Sequence, residues 1–171
     1  MAGSLIKLDE EILDGTVTSV TLGNTNWDSS FNVYMCILKK VEVTTDQTDI
    51  KVRFLESGTP NTTANYDSTQ YHTSSNQAFN TQNEQNATSL DLTLNIGNST
   101  GEQLNSIIYI FNANVSGTFT FMTQENSMMS NAAELRGKQG GGALTVNSAI
   151  NGIQFIESMD SGIFSLYGIK N

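Results

Sequence analysis

The sequence predicts an all-β chain, an antiparallel, jelly-roll-like β-sandwich of about eight to ten strands. Three observations carry this. The last third reads Gly140-Gly141-Gly142-Ala143-Leu144-Thr145-Val146, then Gly152-Ile153-Gln154-Phe155-Ile156, then Ser161-Gly162-Ile163-Phe164-Ser165-Leu166-Tyr167-Gly168-Ile169-Lys170. These are near-alternating apolar runs punctuated by Gly or Asn-Gly. Leu90, Leu92, Leu94 and Ile96 alternate with Asp91, Thr93 and Asn95, the clearest period-two signal in the chain. Asn, Ser and Thr fill about a third of the chain while only 15% is charged, giving a polar, weakly charged surface. Such a surface suits β-structure in water and contacts between copies of the chain.

Taken in order, residues 1–14 read as an N-terminal arm or a first edge strand, and residues 15–171 as a single sandwich domain. In the first segment Leu5, Ile6, Leu8, Ile12 and Leu13 sit among Lys7, Asp9, Glu10, Glu11 and Asp14. Apolar residues in a terminal arm need a partner surface to bury them, which makes Leu5, Ile6 and Leu8 candidate contacts with a neighbouring subunit. Thr16 to Leu22 is rich in Thr and Val, residues that favour strands. Phe31 to Leu38 places Phe31, Val33, Met35 and Ile37 on one face and Asn32, Tyr34, Cys36 and Leu38 on the other. A strand apolar on both faces is covered on both, by a second sheet or by another subunit, so Tyr34 and Leu38 join the candidate contacts.

Further strands follow at Ile50–Leu55, Leu90–Ile96, Ile107–Phe111 and around Phe119 and Phe121. The run Ser127–Leu135, with Met128, Met129, Ala132, Ala133 and Leu135, predicts one or two helical turns. Residues 57–89 contain no Leu, Ile, Val or Met and read as one long polar loop. A loop of that length in a compact domain is functional or mobile. Its Tyr66, Tyr71, His72 and Phe79 are candidate ligand-facing residues, with Tyr66, Tyr71 and Phe79 able to anchor a short strand inside it.

Charge and motifs exclude several functions. A net charge of −9 with eight scattered Lys and Arg argues against nucleic acid and against a basic membrane-binding surface. No run reaches the roughly 20 apolar residues of a spanning helix. The first residues lack the apolar stretch of a signal peptide, so synthesis and folding in a cytoplasm are expected. Gly137-Lys138-Gln139-Gly140-Gly141-Gly142 lacks the Lys-Ser or Lys-Thr pair of a phosphate loop and precedes a strand, so a tight turn is expected there. Four Asn-x-Ser/Thr matches are attributed to composition. His72 is the single histidine and Cys36 the single cysteine. The first lies in the polar segment and the second mid-strand, and neither is expected to catalyse. The carboxylates at Asp9, Glu10, Glu11 and Asp14, at Asp46 and Asp49, and at Glu157 and Asp160 lack calcium-loop spacing. They read as solvated turns, with a cation between subunits or a glycosidase carboxylate pair as the remote readings. No cofactor and no metal is expected.

Met1-Ala2-Gly3-Ser4-Leu5-Ile6-Lys7-Leu8-Asp9-Glu10-Glu11-Ile12, the segment Ser57 to Asp67, and the glycine and Ser161–Lys170 runs near the end together resemble small virion structural proteins of tailed bacteriophages, especially those of marine and cyanobacterial hosts. The likeness covers most of the chain but rests on turns and strands. It implies a virion component and carries no site residue over. The resulting expectation is a non-enzymatic protein on the virion surface, a capsid decoration protein assembling as a trimer. The alternative is a tail-fibre module that contacts host surface glycans.

Overall fold

The computed structural model describes residues 4–170, the side chains of Gln77 and Ala78 excepted; residues 1–3 of the expected arm, and residue 171, lie outside the described residues. Twelve strands form one continuous sheet with every ladder antiparallel. They are β1 (Ser4–Leu13), β2 (Val17–Gly23), β3 (Val33–Val43), β4 (Lys51–Glu56), β5 (Thr59–Pro60), β6 (Tyr66–Ser74), β7 (Gln77–Ala87), β8 (Leu90–Asp91), β9 (Leu104–Phe111), β10 (Thr120–Met129), β11 (Leu135–Leu144) and β12 (Gly152–Lys170). The only helical turn among the described residues is a 3-10 turn at Asn24–Asn26.

The 19-residue β12 organises the molecule. Its first half, Gly152 to Ile156, lies between β2 and β4, and its second half, from Met159 to Ile169, lies between β1 and β3. The register shifts around residues 157–162, where Glu157 (φ 155°) and Gly162 (φ 145°) depart from ordinary strand geometry. Such bulges bend a strand and let it pass from one layer of a sandwich to the other. One layer is β2, the first half of β12, β4, β5 and β8. The other runs β1, the second half of β12, β3, β9, β10, β11, β6, β7. Between them lies the core, with Tyr34, Cys36, Leu38, Phe54, Tyr66, Phe155, Phe164 and Leu166 among its residues.

The fold class is as the sequence predicts; several elements differ. The segment expected as a polar loop at 57–89 holds β5 and the β6–β7 hairpin. No aliphatic alternation announces the hairpin, because the residues on the inner face of β6 include the polar Ser68, Gln70 and His72, of which Gln70 donates to the Asp91 carbonyl. The expected helix at Ser127–Leu135 is the end of β10, a turn, and the start of β11. In that turn the Ser130 hydroxyl accepts from the Ala132 and Glu134 amides at 3.3 and 3.4 Å, and Ala133 adopts φ 56°. Leu90–Ile96, the strongest alternating run, is a strand only at Leu90–Asp91. The rest is an irregular segment buried on both sides, with Leu92, Thr93 and Ile96 at 0% exposure.

The expected turn at Gly137–Gly142 is the interior of β11. Glycine within a strand marks close approach of another backbone. A Cβ on Gly140 would lie 2.5 Å from the Thr69 carbonyl oxygen and 2.6 Å from Gln70 Cα, and its φ is +154°. Neither neighbour can withdraw, since both are ladder backbone. Gly140→Ala is therefore expected to lower stability by about 3 kcal/mol. Gly15→Ala, which meets nothing within 4 Å, is expected to stay within about 0.5 kcal/mol. Urea unfolding of the two variants beside the parent checks the contrast.

Candidate functional site

The outer face of the large layer carries the surface features that a single chain leaves unused. On β3, Tyr34, Cys36 and Leu38 point into the core, so Val33, Met35 and Ile37 point away from it. The ladders set Met35 opposite both Tyr109 of β9 and Tyr167 of β12, Val33 opposite Phe111 and Ile169, and Ile37 opposite Ile107 and Ser165. Leu5 of β1 pairs with Ile169, and Ile12 with Ile163. The result is an apolar patch across β12, β3 and β9, bordered on β1 by Leu5 and Ile12 at either end of the Lys7–Glu10 ion pair, whose Glu10 accepts from the Ser165 hydroxyl at 2.7 Å. Met35 is only 6% exposed within it, while Ile107, Tyr109, Leu5 and Ile12 remain open to solvent. The β1 edge is blunted by Lys7, Asp9, Glu10 and Glu11 and by a register shift between Lys7 and Asp9, devices that oppose strand-to-strand pairing. Addition to this layer is thus favoured over its face rather than along that edge.

Beside the apolar face runs a trough along β11. The outward residues of β11 are Gly137, Gln139, Gly141 and Ala143, paired with Ser127, Glu125, Thr123 and Phe121 of β10 and with Thr73, Tyr71, Thr69 and Asp67 of β6. Small side chains between larger ones leave two depressions of about 490 and 480 Å³ that meet at Thr123. Ile107, Tyr109 and Phe121 form one wall. Tyr71 forms the other, backed by Phe79, whose ring stacks on it with centroids 4.9 Å apart. In the floor, the Gln139 side-chain amide donates to Glu125 Oε1 at 2.9 Å, and the Tyr71 hydroxyl donates to Gln139 Oε1.

A buried polar cluster braces this trough from behind. From Asp91, the last residue of β8, the chain runs on irregularly to Leu94 across the inner face of β6, β10 and β11, leaving the carbonyls of residues 91–94 to be satisfied by side chains. Gln70 Nε2 donates to the Asp91 carbonyl at 3.0 Å and Gln124 Nε2 at 3.4 Å. Asn126 donates to the Leu92 carbonyl. Lys138 Nζ donates to the Asp91 and Thr93 carbonyls at 3.2 and 3.0 Å, and Arg136 reaches the Leu94 carbonyl at 3.2 Å. Lys138 is wholly buried. Burial pulls its ammonium down to about 8, against the opposing pull of the Asp91, Asp49 and Glu84 carboxylates. Burial also raises the carboxyls of Asp49 and Glu84.

The residues expected to face partners divide. Leu5 and Ile6 are exposed, and Leu8 packs against its own core. Tyr34 and Leu38 are core residues with no surface to offer. The cover expected for their face comes from the chain's own core, and the Tyr34 hydroxyl donates to the Asp28 carbonyl at 2.7 Å and accepts from Asn114 Nδ2 at 2.7 Å. Among the expected ligand-facing residues, Tyr71 and Phe79 stand exposed side by side. Tyr66 does not: it lies in the core, its hydroxyl accepting from the Phe54 amide and donating to the Asn61 carbonyl, both at 3.0 Å. His72 sits opposite Lys138 on the inner face, and burial, then the Lys138 and Arg136 charges, lowers its pKa. The missed residues are Met35, Ile37, Ile107, Tyr109, Ile163, Tyr167 and Ile169. Their signal was present, since Ile163–Ile169 is apolar at both parities, as Phe31–Leu38 is.

Burial holds the Cys36 thiol protonated within the core. The acidic groups hold turns together. Asp9 accepts from the Gly23 amide at 2.8 Å and Asn26 Nδ2 at 2.9 Å. Asp160 accepts from the Thr16 and Thr44 hydroxyls at 2.6 and 2.9 Å. No group of three or more His, Cys, Asp or Glu among the described residues is placed to hold a metal ion. In comparison with known proteins, no protein-family model and no curated protein matches this chain.

Replacing Lys138 by Met leaves the Thr93 carbonyl without its side-chain donor, and Lys138→Met is expected to lose about 1–3 kcal/mol of stability at pH 7. The pH profile separates this from simple loss of packing. The Lys138 pKa of about 8 lies below the unfolded value of about 10.4, so the unfolded chain binds more protons between them. Stability of the parent should therefore gain a contribution as pH rises from about 8 toward about 10, where unfolded-state tyrosines begin to ionise. That contribution should be missing from Lys138→Met, as denaturant midpoints across this range will report.

Proposed function

We propose that this chain is a non-enzymatic structural protein of a tailed-phage particle, a capsid decoration protein that assembles as a homotrimer through the outer face of β1, β12, β3 and β9. The observation that carries the assembly reading is the two-sided apolarity of β3 and β12. Their inner residues are covered by the chain itself, while Ile37, Ile107, Tyr109 and Tyr167 belong to a face with no second layer. Contiguous apolar surface of this kind marks an interaction site. A closed ring of three lets each copy cover part of its neighbour's face. The virion setting rests on the resemblance of the N-terminal, 57–67 and C-terminal segments to phage structural proteins. The absence of catalysis is supported by a histidine turned toward a buried lysine and by a thiol enclosed in the core.

A tail-fibre module is the second reading, favoured by the exposed Tyr71–Phe79 pair. Copy number separates the two, hundreds per virion for decoration and a few to tens for a fibre.

Light scattering at micromolar concentration is expected to give three times the mass of the chain. Ile37→Glu, at the centre of the apolar face, is expected to give a folded monomer. A parent that is already monomeric, or an Ile37→Glu protein that remains trimeric, contradicts assembly through this face.

A further inference from the structure

We propose that the trough along β11 is a binding groove for a neutral glycan chain. This goes beyond the assembly reading, with which the trough shares only the Ile107–Tyr109 wall of β9, its floor and its Tyr71 wall lying outside the subunit face. The trough is open, and its outward β11 positions from Gly137 to Ala143 span roughly 20 Å at ~3.4 Å per residue. That length accommodates a linear polymer rather than a single small molecule.

Three observations select the polymer. β10, β11 and β6 are interior strands, each with a ladder on both sides. An extended peptide therefore finds no free backbone edge to join, and strand addition is excluded here. The side chains lining the depressions include the carboxylates Glu125 and Asp67 and no Lys or Arg. A polyanion, whether nucleic acid or acidic polysaccharide, meets repulsion without a compensating cation.

What remains is the pairing of ring faces with amide, hydroxyl and carboxylate groups. Tyr71, held from behind by Phe79, offers a ring face to the groove across from Ile107 and Tyr109. Sugar rings present C–H faces that pack on aromatic rings and hydroxyls that both donate and accept. Gln139 is fixed between the Tyr71 hydroxyl and Glu125 Oε1. Its second amide hydrogen and the other Glu125 oxygen have no protein partner among the described residues, leaving one donor and one acceptor available in the floor. An apolar wall with a few fixed polar groups is the usual composition of a ligand groove. The glycines give the trough its depth: a side chain at Gly141 would stand in its floor.

The test is binding of the purified full chain to an array of neutral and acidic oligosaccharides, followed by calorimetric titration with the neutral oligosaccharide retained best. Neutral chains are expected to be retained and their acidic counterparts not. Tyr71→Ala and Gln139→Ala are each expected to weaken binding by about tenfold or more, with the light-scattering mass unchanged. Tyr71→Phe, which keeps the ring and loses the hydroxyl that orients Gln139, is expected to fall between parent and Tyr71→Ala. Failure of any neutral oligosaccharide to bind overturns the proposal, as does preference for acidic chains or full affinity in Tyr71→Ala. A change of mass in folded Tyr71→Ala also overturns it, since the trough would then be part of the subunit contact. Assembly and glycan binding are read separately, by mass and by titration, so either can fail alone.

Discussion

Four successive backbone carbonyls, from Asp91 to Leu94, lie inside the sandwich without strand partners and take their hydrogen bonds from side chains of β6, β10 and β11. The arrangement of the large layer depends on this. Unpaired buried carbonyls cost far more than a paired hydrogen bond contributes, so the inner face opposite them must supply donors. That requirement explains a fully buried lysine, and it explains why Gln70, Gln124 and Asn126 occupy positions that would otherwise be aliphatic. It also ties the small layer, through β4 and β8, to the strands whose other side forms the trough. Lys51 closes the cluster from the solvent side, 3.4 Å from an Asp91 carboxylate oxygen.

The second constraint is that one chain cannot cover both sides of its larger sheet. β12 is hydrogen-bonded on both edges along nearly its whole length, which fixes the register of β1, β2, β3 and β4 at once. With Phe164 and Leu166 committed to the core, Ile163, Tyr167 and Ile169 are committed to the outside. The same parity on β3 sends Met35 and Ile37 outward. This face follows from register, and no second layer among the described residues covers it.

How far the sequence showed this depends on which side of each strand it described. The C-terminal runs were legible because the core of β12 is aliphatic and aromatic, and alternation survives a bulge. The apolarity of Phe31–Leu38 on both faces was legible too, but not which face belonged to the core. Tyr34 and Leu38 stood as candidate contacts because two-sided apolarity does not say whether the chain's own second layer or another subunit provides the cover. The β6–β7 hairpin was illegible for a physical reason: the inner face of β6 carries Ser68, Gln70 and His72 beside the buried Asp91 carbonyl rather than an aliphatic row. Leu90–Ile96 misled in the opposite way, its alternation reflecting burial of an irregular segment. Tyr71 and Phe79 were recognised as exposed aromatics. Their pairing across the hairpin, and their place opposite Tyr109, required the register.

The central claim is that the outer face of β1, β12, β3 and β9 is covered by another copy of this chain. Hydroxyl-radical footprinting at concentrations above and below assembly tests it most directly. The account predicts that Tyr167 is protected in the concentrated protein and becomes reactive on dilution, while Phe79, outside that face, reacts equally in both. Equal reactivity of Tyr167 at the two concentrations, in a protein whose mass shows that it has assembled, contradicts it.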